Sequence, residues 1–130
     1  MGSPVRVVIS SRAPLFVLGL ESLLAERDEV EVVGATTKQW EIVTTVATTA
    51  PDVVLVDPLT PAQGAELTDE LLALDAPPCV VVVDERDGRR NSLRAARRAG
   101  AHGSVTSDAT VDQLVAELLR VVEREVRRAA

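Results

Sequence analysis

The sequence predicts an α/β fold: a single doubly wound, five-stranded parallel sheet flanked by five helices. Three observations predict it. Strand-like and helix-like patterns alternate along the chain, with no repeat, low-complexity tract or long linker between them. The strand candidates are apolar throughout rather than alternating, as expected when helices cover both faces of a parallel sheet. The chain has 130 residues, enough for one domain that buries roughly two-thirds of the surface its unfolded form exposes, so it needs no metal or disulfide to fold.

Each element follows from a local pattern. Val5 to Ile9 is a short β-branched run, and Pro14 then opens a helix whose Leu15, Leu18, Leu20, Leu23 and Leu24 stand at the spacing of a buried face. Val30 to Val33, closed by Gly34, makes the second strand. The stretch from about 38 to 50 makes the second helix despite four Thr residues that lower its propensity, with Trp40, Val43 and Val46 as its core face. Asp52 to Val56 is the third strand, about 65 to 74 the third helix, and Cys79 to Val83 the fourth strand. The fourth helix, about 89 to 99, is thin in apolar residues, with Gly100 as its left-handed stop. Gly103 to Thr106 is a short fifth strand. Asp108 or Thr110 then caps a last helix with Val111, Leu114, Val115, Leu118, Leu119, Val122 and Val126 on one stripe, Val121 and Val126 near its edge.

Composition narrows the function classes. The longest apolar run, Cys79 to Val83, is far short of the ~20 residues that span a bilayer, and the start lacks a charged-then-apolar leader, so a soluble, cytoplasmic protein is expected. The single cysteine, Cys79, forms no internal bridge and reads as a buried small hydrophobe. Residues 1–4 read as a tag remnant. The net charge of −6 hides a split: residues 1–85 carry four basic and fourteen acidic side chains (−10), and residues 86–130 carry ten and six (+4). Such a split argues against non-specific nucleic-acid binding, but gives the last third a cationic face for an acidic partner. No Gly-rich phosphate loop, no nucleophile with a His partner and no paired metal ligands appear, so the sequence reads as no enzyme. His102 is assigned no role.

The segment A-P-D-V-V-L-V-D, residues 50 to 57, runs an apolar strand straight into one carboxylate, and Pro61 follows in the next loop. An open parallel sheet places its site at this edge. With V-R-V-V-I, P-L-F-V-L-G-L-E-S-L-L, E-V-V-G-A and R-A-G-A-H-G, this segment makes the chain resemble the receiver domain of bacterial two-component response regulators, especially the NarL/FixJ type, over nearly its whole length. The resemblance implies a flavodoxin-like receiver fold. It also implies two acids at the end of the first strand that hold Mg²⁺, a phosphoaccepting Asp after the third, Thr or Ser after the fourth and Lys after the fifth.

Carried over by position, the phosphoacceptor is Asp57, a vestigial one, and the rest of the pocket is degenerate. The acidic pair falls on Ser11 and Arg12, the Thr on Asp84 or Glu85, the aromatic switch residue on Ser104 and the Lys on Ser107. Loss of the metal-holding acids and the Lys removes the main electrostatic catalysts of phosphoryl transfer, and Asp84 would repel an incoming phosphoryl group. Arg12 is expected to act as counter-ion to Asp57 or Asp84, locking the pocket with a salt bridge. A residual metal site of Asp57, Asp84 and Glu85 is the competing arrangement; the reading adopted has no metal and no cofactor.

The resemblance thus implies an atypical, phosphorylation-independent receiver that regulates transcription through a LuxR-type DNA-binding domain beyond residue 130, residues 121–130 ending the last helix or starting the linker. DNA would be met only through that domain. A stand-alone interaction or scaffold protein on the same fold is the alternative. A small-molecule ligand, a partner protein or dimerisation would set the switch. A homodimer is expected, through the last third of the chain, with Arg94, Arg97, Arg98, Arg120 and Arg124 as interface residues, or through the last helix with the first.

Overall fold

A computed structural model of the chain describes residues 2–84 and 92–129. Strands and helices alternate: β1 (Val5–Ser11), α1 (Pro14–Leu24), β2 (Val30–Thr36), α2 (Ile42–Thr49), β3 (Val53–Asp57), α3 (Pro61–Leu72), β4 (Cys79–Asp84), α4 (Ser92–Arg98), β5 (Gly103–Thr106) and α5 (Val111–Ala129). All neighbouring strands pair in parallel, in the order β2-β1-β3-β4-β5. The predicted doubly wound α/β sheet is therefore present. The chain winds outward from β1 to β2 and returns to β3 on the other side, so the switch point lies between β1 and β3.

Two cores, one on each face, follow from the period of two along each strand. Val7, Ile9, Val53, Leu55, Val81 and Val83 pack with Val17 and Leu24 of α1 and with Leu114, Val115, Leu118 and Val121 of α5. Their even-numbered neighbours Val8, Val54, Val56, Val80 and Val82 pack with Ile42 and Val46 of α2, Leu67 and Leu71 of α3 and Ala96 of α4. Among the described residues no helix is long and apolar enough to cross a membrane.

Several local expectations change. In α1, Leu15 is 83% exposed, Leu18 62% and Leu23 49%, whereas Val17 and Leu24 are buried. The helix is apolar nearly all round, so leucine spacing alone does not say which face meets the sheet; Val17 and Leu24, seven apart, do. Trp40 is not a core residue of α2. It is 75% exposed on a single 3-10 turn before the helix, with the Lys38 ammonium 5.6 Å from its ring centroid. α3 starts at Pro61, four residues earlier than expected, because the Thr60 hydroxyl accepts the Gln63 N–H and proline suits the first helical turn. In α5, Val121 is buried inside the stripe and Val126 lies outside it, 64% exposed. Of the two cap candidates Thr110 caps it: its hydroxyl accepts the Gln113 N–H while Gln113 Oε1 accepts the Thr110 N–H, a reciprocal capping box. Residues 89–91 of the expected fourth helix lie outside the described residues.

Gly100 ends α4 as expected. Its φ of +109° lets its N–H reach the Arg97 carbonyl and the Ala101 N–H reach the Ala96 carbonyl, the paired bonds of a Schellman motif. A Cβ there would also meet Leu72 Cδ1 at 2.7 Å.

β5 is a short edge strand held by side chains. Glu117 of α5 accepts the Ser104 N–H at 3.0 Å and a two-pronged bond from Arg120, and Gly103 lies so close beneath it that a Cβ would strike Glu117 Oε2 and Val121. At the start of the strand, His102 Nδ1 accepts the Val80 N–H at 2.9 Å while the His102 N–H donates to the Val80 carbonyl. The Arg120 hydrogen bond holds the Glu117 carboxyl below its ordinary 4.5, against the opposing effect of burial. Burial pushes His102 below its ordinary 6.5, with Arg128 adding to the effect and Glu125 opposing it.

Two outcomes are expected. Gly100→Ala should destabilise the domain by about 1–2 kcal/mol or more in urea unfolding, since an L residue resists this φ and its Cβ meets Leu72. Both shifts are downward in the folded state, so each group stabilises above its ordinary value and loses that contribution as pH falls. Melting temperature should therefore drop below pH 6.5 through His102 and again below pH 4.5 through Glu117. His102→Gln should remove the upper step, and Glu117→Gln should flatten the lower one.

Candidate functional site

β1 and β3 are adjacent and in register at the switch point, which makes Ser11 the direct lateral neighbour of Asp57 at the carboxyl edge. The Ser11 hydroxyl donates to Asp57 Oδ2 at 2.9 Å and accepts the Ala13 N–H at 3.2 Å. Ser11 is buried and Asp57 partly so. The cavity beside them, lined by Ser11, Arg12, Thr37, Gln39, Asp57 and Gln63, measures about 10 Å³. That is at or below the volume one water needs.

Two of the residues lining this cavity are glutamines bonded to each other. Gln63, in the first turn of α3, donates through Nε2 to Gln39 Oε1 on the turn after β2, while its own Oε1 accepts the Leu59 N–H. The loops after β2 and β3 are thereby joined across the end of β1. Sequence reasoning missed both residues. The Thr60-Pro61 helix start, recognised as a cap, would have placed Gln63 on the first turn facing the strand ends.

The resemblance implies a divalent cation here, and the donor set does not fit one. Mg²⁺ takes carboxylate and water oxygens in a roomy octahedral shell. Where the two acids would stand, the chain has a hydroxyl already given to Asp57 and an arginine that adds positive charge. Among the described residues no three His, Cys, Asp or Glu groups converge as a metal set. Glu85, a member of the competing arrangement and of the degenerate pocket, lies outside the described residues.

The other predicted site residues are only partly gathered. Arg12 lines the small cavity but is exposed, and makes no ion pair with Asp57 or Asp84. The expected Arg12 ion pair is thus absent, and the Ser11 hydroxyl bonds Asp57 at this point. Strand pairing carries Ser11 into the pocket, and the chain leaves the sheet at the next residue, which frees Arg12 for solvent. Asp84 ends β4; its carbonyl accepts the Ser107 N–H at 2.9 Å, and its Oδ1 is buried with no hydrogen-bond partner among the described residues. Ser107 is exposed on the rim of a different, mostly apolar cavity of about 50 Å³, beside Phe16, Leu20 and Val105. Ser104 sits in β5 under Glu117. Arg94, Arg97 and Arg98 are exposed on α4, and Arg124 is exposed on α5. Arg120 is committed within its own helix to Glu117.

The chain is similar to many solved structures of one kind. The signal receiver domain of the response regulator NarL from Mycobacterium tuberculosis superposes with a TM-score of 0.80 at 26% identity, over 94% of this chain and 98% of that one. The response regulator ChrA of a heme-sensing two-component system gives 0.75 at 28% identity over 94% of this chain, which spans 58% of ChrA. A LuxR-family two-component response regulator from Aurantimonas sp. SI85-9A1 gives 0.80 at 24% identity, over 93% and 86% of the two chains. No family model and no curated protein matches the chain.

The site geometry separates two neighbouring substitutions. Ser11→Ala should cost about 1–2 kcal/mol in chemical denaturation, because it removes a part-buried bond to a carboxylate and strands the Ala13 N–H. Arg12→Ala, at an exposed position without an ion partner among the described residues, should stay within about 0.5 kcal/mol.

Proposed function

We propose that this chain, which has the fold of response-regulator receiver domains, is an atypical receiver whose signalling role is independent of phosphorylation at Asp57. The observation that carries the reading is the Ser11–Asp57 hydrogen bond within a cavity of about 10 Å³. Phosphoryl transfer depends on positioning and on neutralising charge over the transferring oxygens. Here the acceptor carboxylate takes a neutral hydroxyl, the cation-holding acids are replaced by Ser11 and Arg12, and the Lys position holds Ser107. The Asp84 carboxylate at the end of β4 adds like charge where a phosphoryl group would need donors.

In this reading the domain passes on a signal set by a ligand, a partner protein or dimerisation, and acts on transcription through an attached LuxR-type DNA-binding domain. ChrA, of which this chain spans only 58%, has room for a further domain and supports that arrangement. Self-association is part of the proposal. The opposite charges interleaved on α5, Glu123 and Glu125 beside Arg124 and Arg127, favour it, and so do the exposed Leu15, Leu18 and Leu23 on the solvent side of α1, since large exposed apolar side chains grouped on one helix mark an interaction surface. Arg120, held by Glu117, contributes less to such an interface than the exposed Arg94, Arg97, Arg98 and Arg124.

Intact-mass spectrometry after incubation with acetyl phosphate and Mg²⁺ tests the central claim. No phosphoryl adduct is expected; stoichiometric, Mg²⁺-dependent modification of Asp57 would overturn it. Light scattering over a wide concentration range tests self-association, and a monomer throughout would reject it for this domain. Reversing Arg94, Arg97 and Arg98 to Glu should weaken a dimer built on α4, and Leu18→Glu one built on α1.

A further inference from the structure

At the amino end of the sheet, opposite Asp57, a cavity of about 230 Å³ opens between the start of β5 and the last third of α5. Gly100, Ala101 and His102 line one side, and Val121, Arg124, Glu125 and Arg128 the other. The helical residues are spaced three, four and seven apart, so they share one face. This volume exceeds that beside Asp57 more than twentyfold. It holds two guanidinium-bearing residues, one imidazole and one carboxylate.

The imidazole is oriented for donation. Its Nδ1 accepts the Val80 N–H, so the neutral ring carries its proton on Nε2. Nε2 lies 3.8 Å from Glu125 Oε2, beyond hydrogen-bond distance. Protonating Nδ1 would set two N–H groups against each other, so the ring offers this single donor at neutral pH. Glu125 stands where an external anion would sit, facing the Nε2–H and flanked along the helix by Arg124 and Arg128. Guanidinium groups are matched to oxyanions by their planar fork of donors.

We infer that this cleft binds a small oxyanion, a phosphate or carboxylate group, between His102 Nε2–H and the guanidinium groups of Arg124 and Arg128, displacing the carboxylate of Glu125. The bound anion would tie α5 to the start of β5 and, through the imidazole, to Val80 of β4. It gives the ligand-set input proposed above a place in the molecule, and rests on that reading only for its regulatory meaning.

Amide NMR titration of the 130-residue protein at pH 7.5 with inorganic phosphate, and separately with malonate, tests the site, with sodium chloride holding ionic strength constant. Saturable one-site shifts are expected at Val80, Gly100, Ala101 and Glu125, with Ser11 and Ala13 unmoved. Neither probe is a phosphodonor, so the result is independent of whether Asp57 can be phosphorylated. The tighter of the two anions assigns the phosphate or carboxylate class. Arg124→Gln with Arg128→Gln should weaken binding by about tenfold or more, each single change by less, and Glu125→Gln should tighten it by about threefold. Both arginines are exposed, so the variants should keep the wild-type amide spectrum elsewhere. Non-saturable shifts, shifts centred on Ser11 and Ala13, or affinity unchanged in the double variant would overturn the inference.

Discussion

Every central strand of this domain has to bury both of its faces, and that requirement organises the rest. Val53 to Val56 and Val80 to Val82 are essentially inaccessible to solvent along their whole length. Such strands leave no polar side chain inside the sheet, so polar chemistry is confined to the strand ends. At the carboxyl end the apolar runs give way to the buried Ser10 and Ser11 on β1 and to the partly buried Asp57 on β3 and Asp84 on β4. At the amino end burial stops at Asp52, at Pro77 before β4 and at His102 before β5. The two candidate sites occupy these two edges because the fold offers few other places.

At the carboxyl edge the consequence is a partly buried carboxylate beside a hydroxyl. A partly buried Asp must be hydrogen-bonded or charge-compensated. Register decides which residue meets that need. The parallel pairing of β1 and β3 makes Ser11 the neighbour of Asp57, and the Ser11 hydroxyl is itself fixed by the Ala13 N–H. The Gln39–Gln63 bond then draws the flanking loops together over the same point. An acid in place of Ser11 would face Asp57 at hydrogen-bond range, and two ionised carboxylates at that distance require a cation between them. A hydroxyl removes the requirement.

The fold was legible from the sequence because its determinants are local and redundant. β-branched apolar runs separated by helical periods can satisfy both faces of a parallel sheet in few ways, and right-handed crossovers fix which face each helix covers. The placing of Asp57 at a strand end was legible for the same reason, as a lone acid closing an apolar run. What escaped was directional. Arg12 was placed in the pocket by position and expected to pair with Asp57 or Asp84, yet it lines the cavity from an exposed position without that ion pair, because the β1 pairing ends one residue before it. Leu15, Leu18 and Leu23 were assigned to the core by spacing, but a helix that is apolar nearly all round carries no signal for which face packs. Trp40 was assigned to a helix that begins two residues later, at Ile42. His102, given no role, turned out to join β4 to β5 through a backbone N–H, a contact that depends on how two strands start and leaves no mark in composition.

The two ends of the sheet differ in what they can exchange with solvent, and the difference bears on how the domain would receive a signal. A site of about 10 Å³, with its carboxylate already bonded to Ser11, admits nothing larger than a water unless its lining opens. The cleft of about 230 Å³ at the other end needs no such opening: Glu125 lies on an exposed helix face and is free to swing outward. Its lining joins α5 to the start of β5, and α5 meets the same strand again through Glu117 and Ser104. A ligand drawn to Arg124 and Arg128 would therefore act on the α5–β5 edge, where bonds from Glu117 and His102 add to the backbone pairing of β4 with β5. In such a geometry the edge can be reset without any chemistry at Asp57, because the link between cleft and strand runs through α5 and His102 and never through β1 or β3.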